Sequence, residues 1–197
     1  MGELAPGWTP GYYLLAMQIM FCAFVLARGM MADKFDGAIT RILAGPVTDL
    51  NYLVQNVLAC MVWLTAQITA VAVLGIALRG WSVAVAVWLM LCYTVLAFAF
   101  VSFSFAWSCL FKSKNASFAA FSTISMFIAM LGGFMFPIEL MPDILRYIGM
   151  AFPTYWASNA ITILHDTGAN AEYWLSLSAM ILFAGAYLLY GGKRRII

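Results

Sequence analysis

Charge is what this sequence has least of. Of its 197 residues only 9% are Asp, Glu, Lys or Arg, against 65% that are hydrophobic. An average soluble domain is roughly 45–50% apolar and about 25% charged. The balance therefore excludes an ordinary water-soluble globule and points to a polytopic membrane protein. Histidine is almost missing, with His165 alone. Cysteine is sparse: Cys22, Cys60, Cys92 and Cys109 all fall inside apolar runs, and no pair has metal-ligand spacing. That excludes a disulfide framework and a zinc site, and leaves small apolar packing residues. The N-terminus lacks a basic stretch, its first charge is Glu3, and no small-residue cleavage site follows the first apolar run. A signal peptide is excluded on those grounds. Internal repeats, low-complexity stretches and a second domain are also lacking.

What is present is a series of long apolar runs. About 20 apolar residues are needed for a helix to cross a hydrocarbon core of about 30 Å. Five runs qualify, at residues 11–27, 52–78, 81–111, 117–136 and 173–190. Each must be a helix, because the backbone amides of a span can be satisfied only within it. The predicted fold is thus all-α, a single membrane domain of about five transmembrane helices.

A sixth apolar stretch, residues 144–164, contains Arg146, Pro153 and Asn159 and follows Pro137 and Pro142. Proline removes a helix hydrogen bond. Residues 137–166 are therefore predicted to be an external re-entrant loop of short broken helices, with Pro137, Glu139, Pro142 and Pro153 as its marking residues. The basic residues agree. With five spans and the N-terminus outside, Arg28, Lys34, Arg41, Lys112, Lys114, Lys193, Arg194 and Arg195 lie inside and only Arg79 and Arg146 outside. A full sixth crossing would move Lys193, Arg194 and Arg195 outside and erase this bias, which the positive-inside rule favours. Trp8, Tyr12, Tyr13, Trp81, Trp156, Tyr173 and Trp174 gather at the outer face, and Tyr52, Trp107 and Tyr190 at the inner one, as aromatic belts do. Trp63 and Trp88 are left mid-span, as packing or lipid-facing residues.

One stretch cannot lie in hydrocarbon: the charged segment from Met30 to Asp49. Met31, Phe35, Ile39 and Ile42 recur at helical spacing, with Asp33, Lys34, Asp36, Thr40 and Arg41 largely on the other faces. An amphipathic helix lying flat on the inner membrane surface over residues 30–43 is predicted. Gly45 and Pro46 then close it. The alternative on pattern alone is a solvated loop.

The run Asp33-Lys-Phe-Asp-Gly-Ala-Ile-Thr-Arg-Ile-Leu-Ala-Gly-Pro46 resembles the cytoplasmic segment of ABC-2 type exporter permeases. That segment has an acidic pair, then Gly-Thr-Leu-Glu-Arg-Leu, then a proline. Gly37, Arg41, Leu43 and Pro46 match; Asp36 replaces the usual glutamate, and Ala38 and Thr40 depart from the pattern. Pro10-Gly11 resembles the family's approach to its second span. Phe136-Pro-Ile-Glu-Leu-Met-Pro142, followed by Phe152-Pro-Thr-Tyr155, resembles its external re-entrant loop. The three resemblances keep their order along nearly the whole chain.

The resemblance implies a permease subunit of an ATP-driven exporter in the inner (cell) membrane, with the C-terminus cytoplasmic. The flat helix would be a coupling helix, with Phe35, Asp36, Gly37, Ile39, Arg41, Leu43 and Pro46 meeting a separate ABC ATPase subunit. The chain would begin just before the family's second span, without the first. A homodimer or a heterodimer with another permease is implied, embedded in the lipid bilayer; no nucleic-acid partner is expected. A phosphate-cradling loop needs Gly-x-x-x-x-Gly-Lys-Ser/Thr. The nearest candidate, Gly191-Gly192-Lys193-Arg194, has no hydroxyl after the lysine and no glycine at the required distance before it. No cofactor is therefore expected on this chain, with ATP and magnesium on the partner.

Polar residues inside the spans are either helix–helix hydrogen-bonding groups or a path for substrate. Gln55, Gln67, Ser102, Ser104 and Thr123 are the candidate path. Ionisable residues are confined to the membrane faces, which argues against a proton-coupled carrier. The compatible substrates are drug-like, lipid-like or glycan. Two rival classes remain open at this stage: a non-transporting assembly or sensor subunit of such a complex, and an intramembrane enzyme, for which His165 and Ser104 are the residues to test. No catalytic or metal-ligating residue is assigned.

Overall fold

The computed structural model describes residues 10–35, 41, 45, 49–111 and 113–193. Among these, all regular structure is helical: α1 (Pro10–Phe35), α2 (Asp49–Arg79), α3 (Val83–Ser108), α4 (Lys114–Leu131), a 3-10 turn (Ile138–Leu140), α5 (Asp143–Gly149), α6 (Pro153–Asp166) and α7 (Ala171–Lys193). Three are long and apolar enough to cross a membrane, over Val54–Leu78, Val83–Ser108 and Ala171–Gly191; Gly11–Leu26 and Asn115–Leu131 are shorter apolar helices. The five apolar runs thus map onto helices α1, α2, α3, α4 and α7, of which α2, α3 and α7 have spanning length and composition.

Their ends differ from the hydropathy boundaries where local chemistry decides. The third run starts late because Ser82 caps α3, its hydroxyl accepting from the Val85 amide at 3.3 Å. The fourth run stops early, at Leu131, because Gly132 and Gly133 follow, and Gly133 takes φ +85. Helix α1 runs late. It is continuous to Phe35, so Met30–Phe35 are the end of this helix rather than the start of a separate flat one. Gly29 does not stop it: a lone glycine costs about 1 kcal/mol in a helix, and the following Met-Met-Ala are good helix formers.

Helix α3 is the centre of the bundle. It has the highest mean hydropathy of the three long spans, 2.4, and the largest buried share. Leu89, Cys92, Leu96, Ala97, Phe100, Val101 and Phe105 are all buried along it. Helices α1, α2, α6 and α7 pack around it. Polar staples fix the surrounding helices. Tyr93 Oη donates to the Tyr12 carbonyl at 3.0 Å, and Tyr173 Oη to the Trp88 carbonyl at 2.7 Å. Tyr13 Oη and Thr162 Oγ1 are hydrogen-bonded at 2.9 Å, joining α1 to α6.

Aromatic residues sort to the two ends. At one end Tyr12 meets Trp81, and Trp88 meets Tyr173 and Trp174. At the other, Phe24 stacks on Phe121, and Phe103, Trp107 and Phe111 form a chain of rings. Trp88 is packed against the core from its partly buried position, whereas Trp63 is 71% exposed on α2.

Residues 137–166 form short broken helices, of which α5 has 7 residues and α6 has 14. At 1.5 Å per residue even α6 spans about 21 Å, too short for the hydrocarbon core. The prolines act as starts. Pro137 precedes the 3-10 turn that contains Glu139, Pro142 precedes α5, and Pro153 opens α6. A first-turn proline gives up no helical bond. Helix α6 is buried against α3 and α7, with Ala157, Ala160, Ile161 and Leu164 inside.

Candidate functional site

The segment expected to receive an ATPase leaves the end of α1. That helix has 26 residues, about 39 Å at 1.5 Å per residue, so it is longer than a bilayer core requires. Its last residue is Phe35. Arg41 is helical and exposed, and Gly45 is an exposed turn. Asp36, Gly37, Ile39, Leu43 and Pro46 lie outside the described residues.

The five residues of the expected path are not brought together. Ser102 and Ser104 are buried on α3 and donate to their own helix, to the Phe98 and Phe100 carbonyls at 2.7 Å each. Such back-bonding satisfies a hydroxyl within its own helix. Both face packed interior here, and helices would have to part for anything to reach them. Thr123 is exposed on α4 and donates to the Ala119 carbonyl at 3.1 Å. Gln55 is exposed on α2. Gln67 alone lines internal space.

That space is a seam between α1 and α2. Near one end it opens into a cavity of about 330 Å3, lined by Tyr12, Leu14, Gln18, Leu74, Gly75 and Trp81 among others. Toward the other end Cys22, Val25, Leu26, Trp63, Ala66 and Gln67 line a second cavity of about 370 Å3. Between them Gln18 and Gln67 border a narrow gap floored by Tyr93. Gly75 matters at the mouth, since a Cβ there would clash with the Trp81 ring. Tyr93 was not among the expected path residues, and Gln18, a polar residue of the first apolar run, is not one of the five. The signal for Gln18 was its helical spacing from Leu14, Leu15 and Cys22, which only the pairing of α1 with α2 makes meaningful.

On the other side of the bundle, Thr154 packs onto Gly132 and donates to the Ile128 carbonyl at 3.1 Å, tying α6 to the end of α4. His165 and Asp166 meet at 3.2 Å on the exposed end of α6. Asp143 and Arg146 pair at 3.8 Å on α5.

Long apolar helices around a buried central helix, with charge kept to their ends, define a multi-pass α-helical membrane protein. The chain belongs to the ABC-2 transporters: the family model described as ABC-2 family transporter protein matches residues 4–192. No curated protein and no solved structure matches it. Membership makes the chain a membrane-spanning permease component of an ABC-type transporter.

Proposed function

We propose that this permease works in export, driven by a separate ABC ATPase subunit that grips the segment following α1. Phe35, Asp36, Gly37, Ile39, Arg41, Leu43 and Pro46 would form the contact, and ATP and magnesium would be held by the partner. The observation that carries the proposal is the length of α1, whose final turns exceed what a bilayer core needs and lead directly into the amphipathic segment. A rigid helix joined to that segment can pass a push into the membrane.

The basic residues support placing this end in the cytoplasm of a cell with an inner membrane, the N-terminus outside and the C-terminus inside. Two permeases, identical or related, would face each other across a substrate route. Rigid-body rocking of the helices would then open that route outward. Gln55, Gln67 and Thr123 reach exposed or internal surface and are the first residues to test along it; Ser102 and Ser104 would join it only on opening. Shifting such an equilibrium from 1:99 to 99:1 takes about 5.5 kcal/mol of differential binding. The substrate would be drug-like, lipid-like or a glycan, in keeping with a membrane interior without charge.

The test is cross-linking in the co-expressed complex. Phe35→Cys and Ile39→Cys should each form an adduct with an ABC ATPase carrying cysteines in its membrane-facing groove. An ATPase that associates with the chain without contacting either position would contradict the proposed contact.

A further inference from the structure

The seam between α1 and α2 has a pattern that lipid tails do not match. On α1 its lining recurs at Gly11, Leu14, Gln18, Cys22 and Val25. On α2 the lining runs from Trp63 through Gln67, Val71 and Leu74 to Leu78. Each is one helical stripe, about 22 Å long at 1.5 Å per residue. Both helices pack mainly on α3 and only lightly on each other. The edges of the seam are exposed, with Leu14 at 61% and Leu78 at 79%.

The stripes are apolar except at one level. Gln18 lies about 12 Å along α1 from Pro10, and Gln67 about 18 Å along α2 from Arg79. Both therefore sit near the middle of a core of about 30 Å, and both border the same gap. Gln18 is exposed and Gln67 half-buried, and among the described residues neither side-chain amide has a hydrogen-bond partner. The neighbouring Tyr93 hydroxyl spends its proton on the Tyr12 carbonyl. An amide left unpaired in hydrocarbon is costly, and a partner that hydrogen-bonds it is favoured. A long groove with apolar flanks and two unpaired carboxamides at mid-depth complements a membrane helix that bears one polar side chain at its centre.

We propose that this seam is a docking groove for a further membrane-spanning helix, one carrying a carboxamide or hydroxyl side chain at mid-span that hydrogen-bonds Gln18 and Gln67. The groove does this independently of where an ATPase binds, so the two proposals can fail separately; a helix seated here would cover Gln67 and leave Gln55 and Thr123 as the residues of the substrate route.

The experiment uses the full chain in phospholipid vesicles with a photo-cross-linking residue at Val25, at Leu74, or at the exposed control position Leu182 on α7. The probes are two leucine-rich 20-residue membrane peptides, one with a central asparagine and one without. Hydrogen bonds between membrane helices average about 0.6 kcal/mol each. One or two of them should raise the yield for the asparagine peptide about three- to eightfold at Val25 and Leu74, and leave Leu182 unchanged. The excess should vanish in Gln18→Leu/Gln67→Leu and survive in Gln18→Asn/Gln67→Asn, which keeps the amides and controls for folding. Equal yields for the two peptides, an excess at Leu182 as well, or an excess that survives the leucine pair would overturn the proposal. So would adducts with lipid alone, or a chain-to-chain adduct that excludes the peptide.

Discussion

Thr154 occupies the space that a side chain at Gly132 would need. A Cβ built on Gly132 falls within the Thr154 side chain, whose hydroxyl donates to the Ile128 carbonyl one turn earlier on α4. The loop helices are thus seated on the end of a span through a glycine.

Gly132→Ala should therefore unseat α6. Overpacking a tight contact costs about 1–3 kcal/mol. Thermal unfolding in detergent should show a clear fall in midpoint for Gly132→Ala. Gly185→Ala, at a site with nothing within 4 Å of the added methyl, should be neutral or slightly stabilising.

Tyr173→Phe should weaken the clasp between α7 and α3 by removing the bond to the Trp88 carbonyl. The net worth of such a bond is about 0.5–1.5 kcal/mol. A modest drop in midpoint is expected, with unchanged helix content by circular dichroism. A loss as large as that of a deleted core side chain would mean that the ring, too, has been displaced.

Trp63 and Trp88, both expected at mid-span from the sequence, should separate sharply, since Trp88 lies in the second turn of α3 within the end cluster of rings. Trp88 packs against Tyr173 and Trp174, and Trp88→Ala should cost about 3 kcal/mol, the low end for such truncations. Trp63 is mostly exposed, and Trp63→Ala should leave unfolding of the isolated chain nearly unchanged. Equal effects would contradict the packing of α3 on α7.

The spans were legible because hydrocarbon imposes a crude rule, an unbroken apolar run of sufficient length, and α2, α3 and α7 obey it. Pro137, Pro142 and Pro153 were legible as interruptions, and each proved to mark the start of a short element. The end of α1 was not legible. A glycine at position 29 is a weak stop, and whether a helix continues past it depends on balances of about 1 kcal/mol. Nor was the direction in which Ser102 and Ser104 face, because α3 is apolar on every side and so gives no periodic signal of its buried face. That Gln18 and Gln67 border one gap depends on which helices pair, which neither stripe states alone.

The central claim is that the segment after α1 lies in the cytoplasm, and accessibility measures it most directly. Ile39→Cys and Asp166→Cys variants would be treated in intact cells with a membrane-impermeant thiol reagent, with the unsubstituted chain as the blank for its own four cysteines. Position 166 should react in intact cells, whereas position 39 should react only after permeabilisation and should be shielded when the ATPase is co-expressed. Reaction at position 39 in intact cells would place that segment outside and contradict the account.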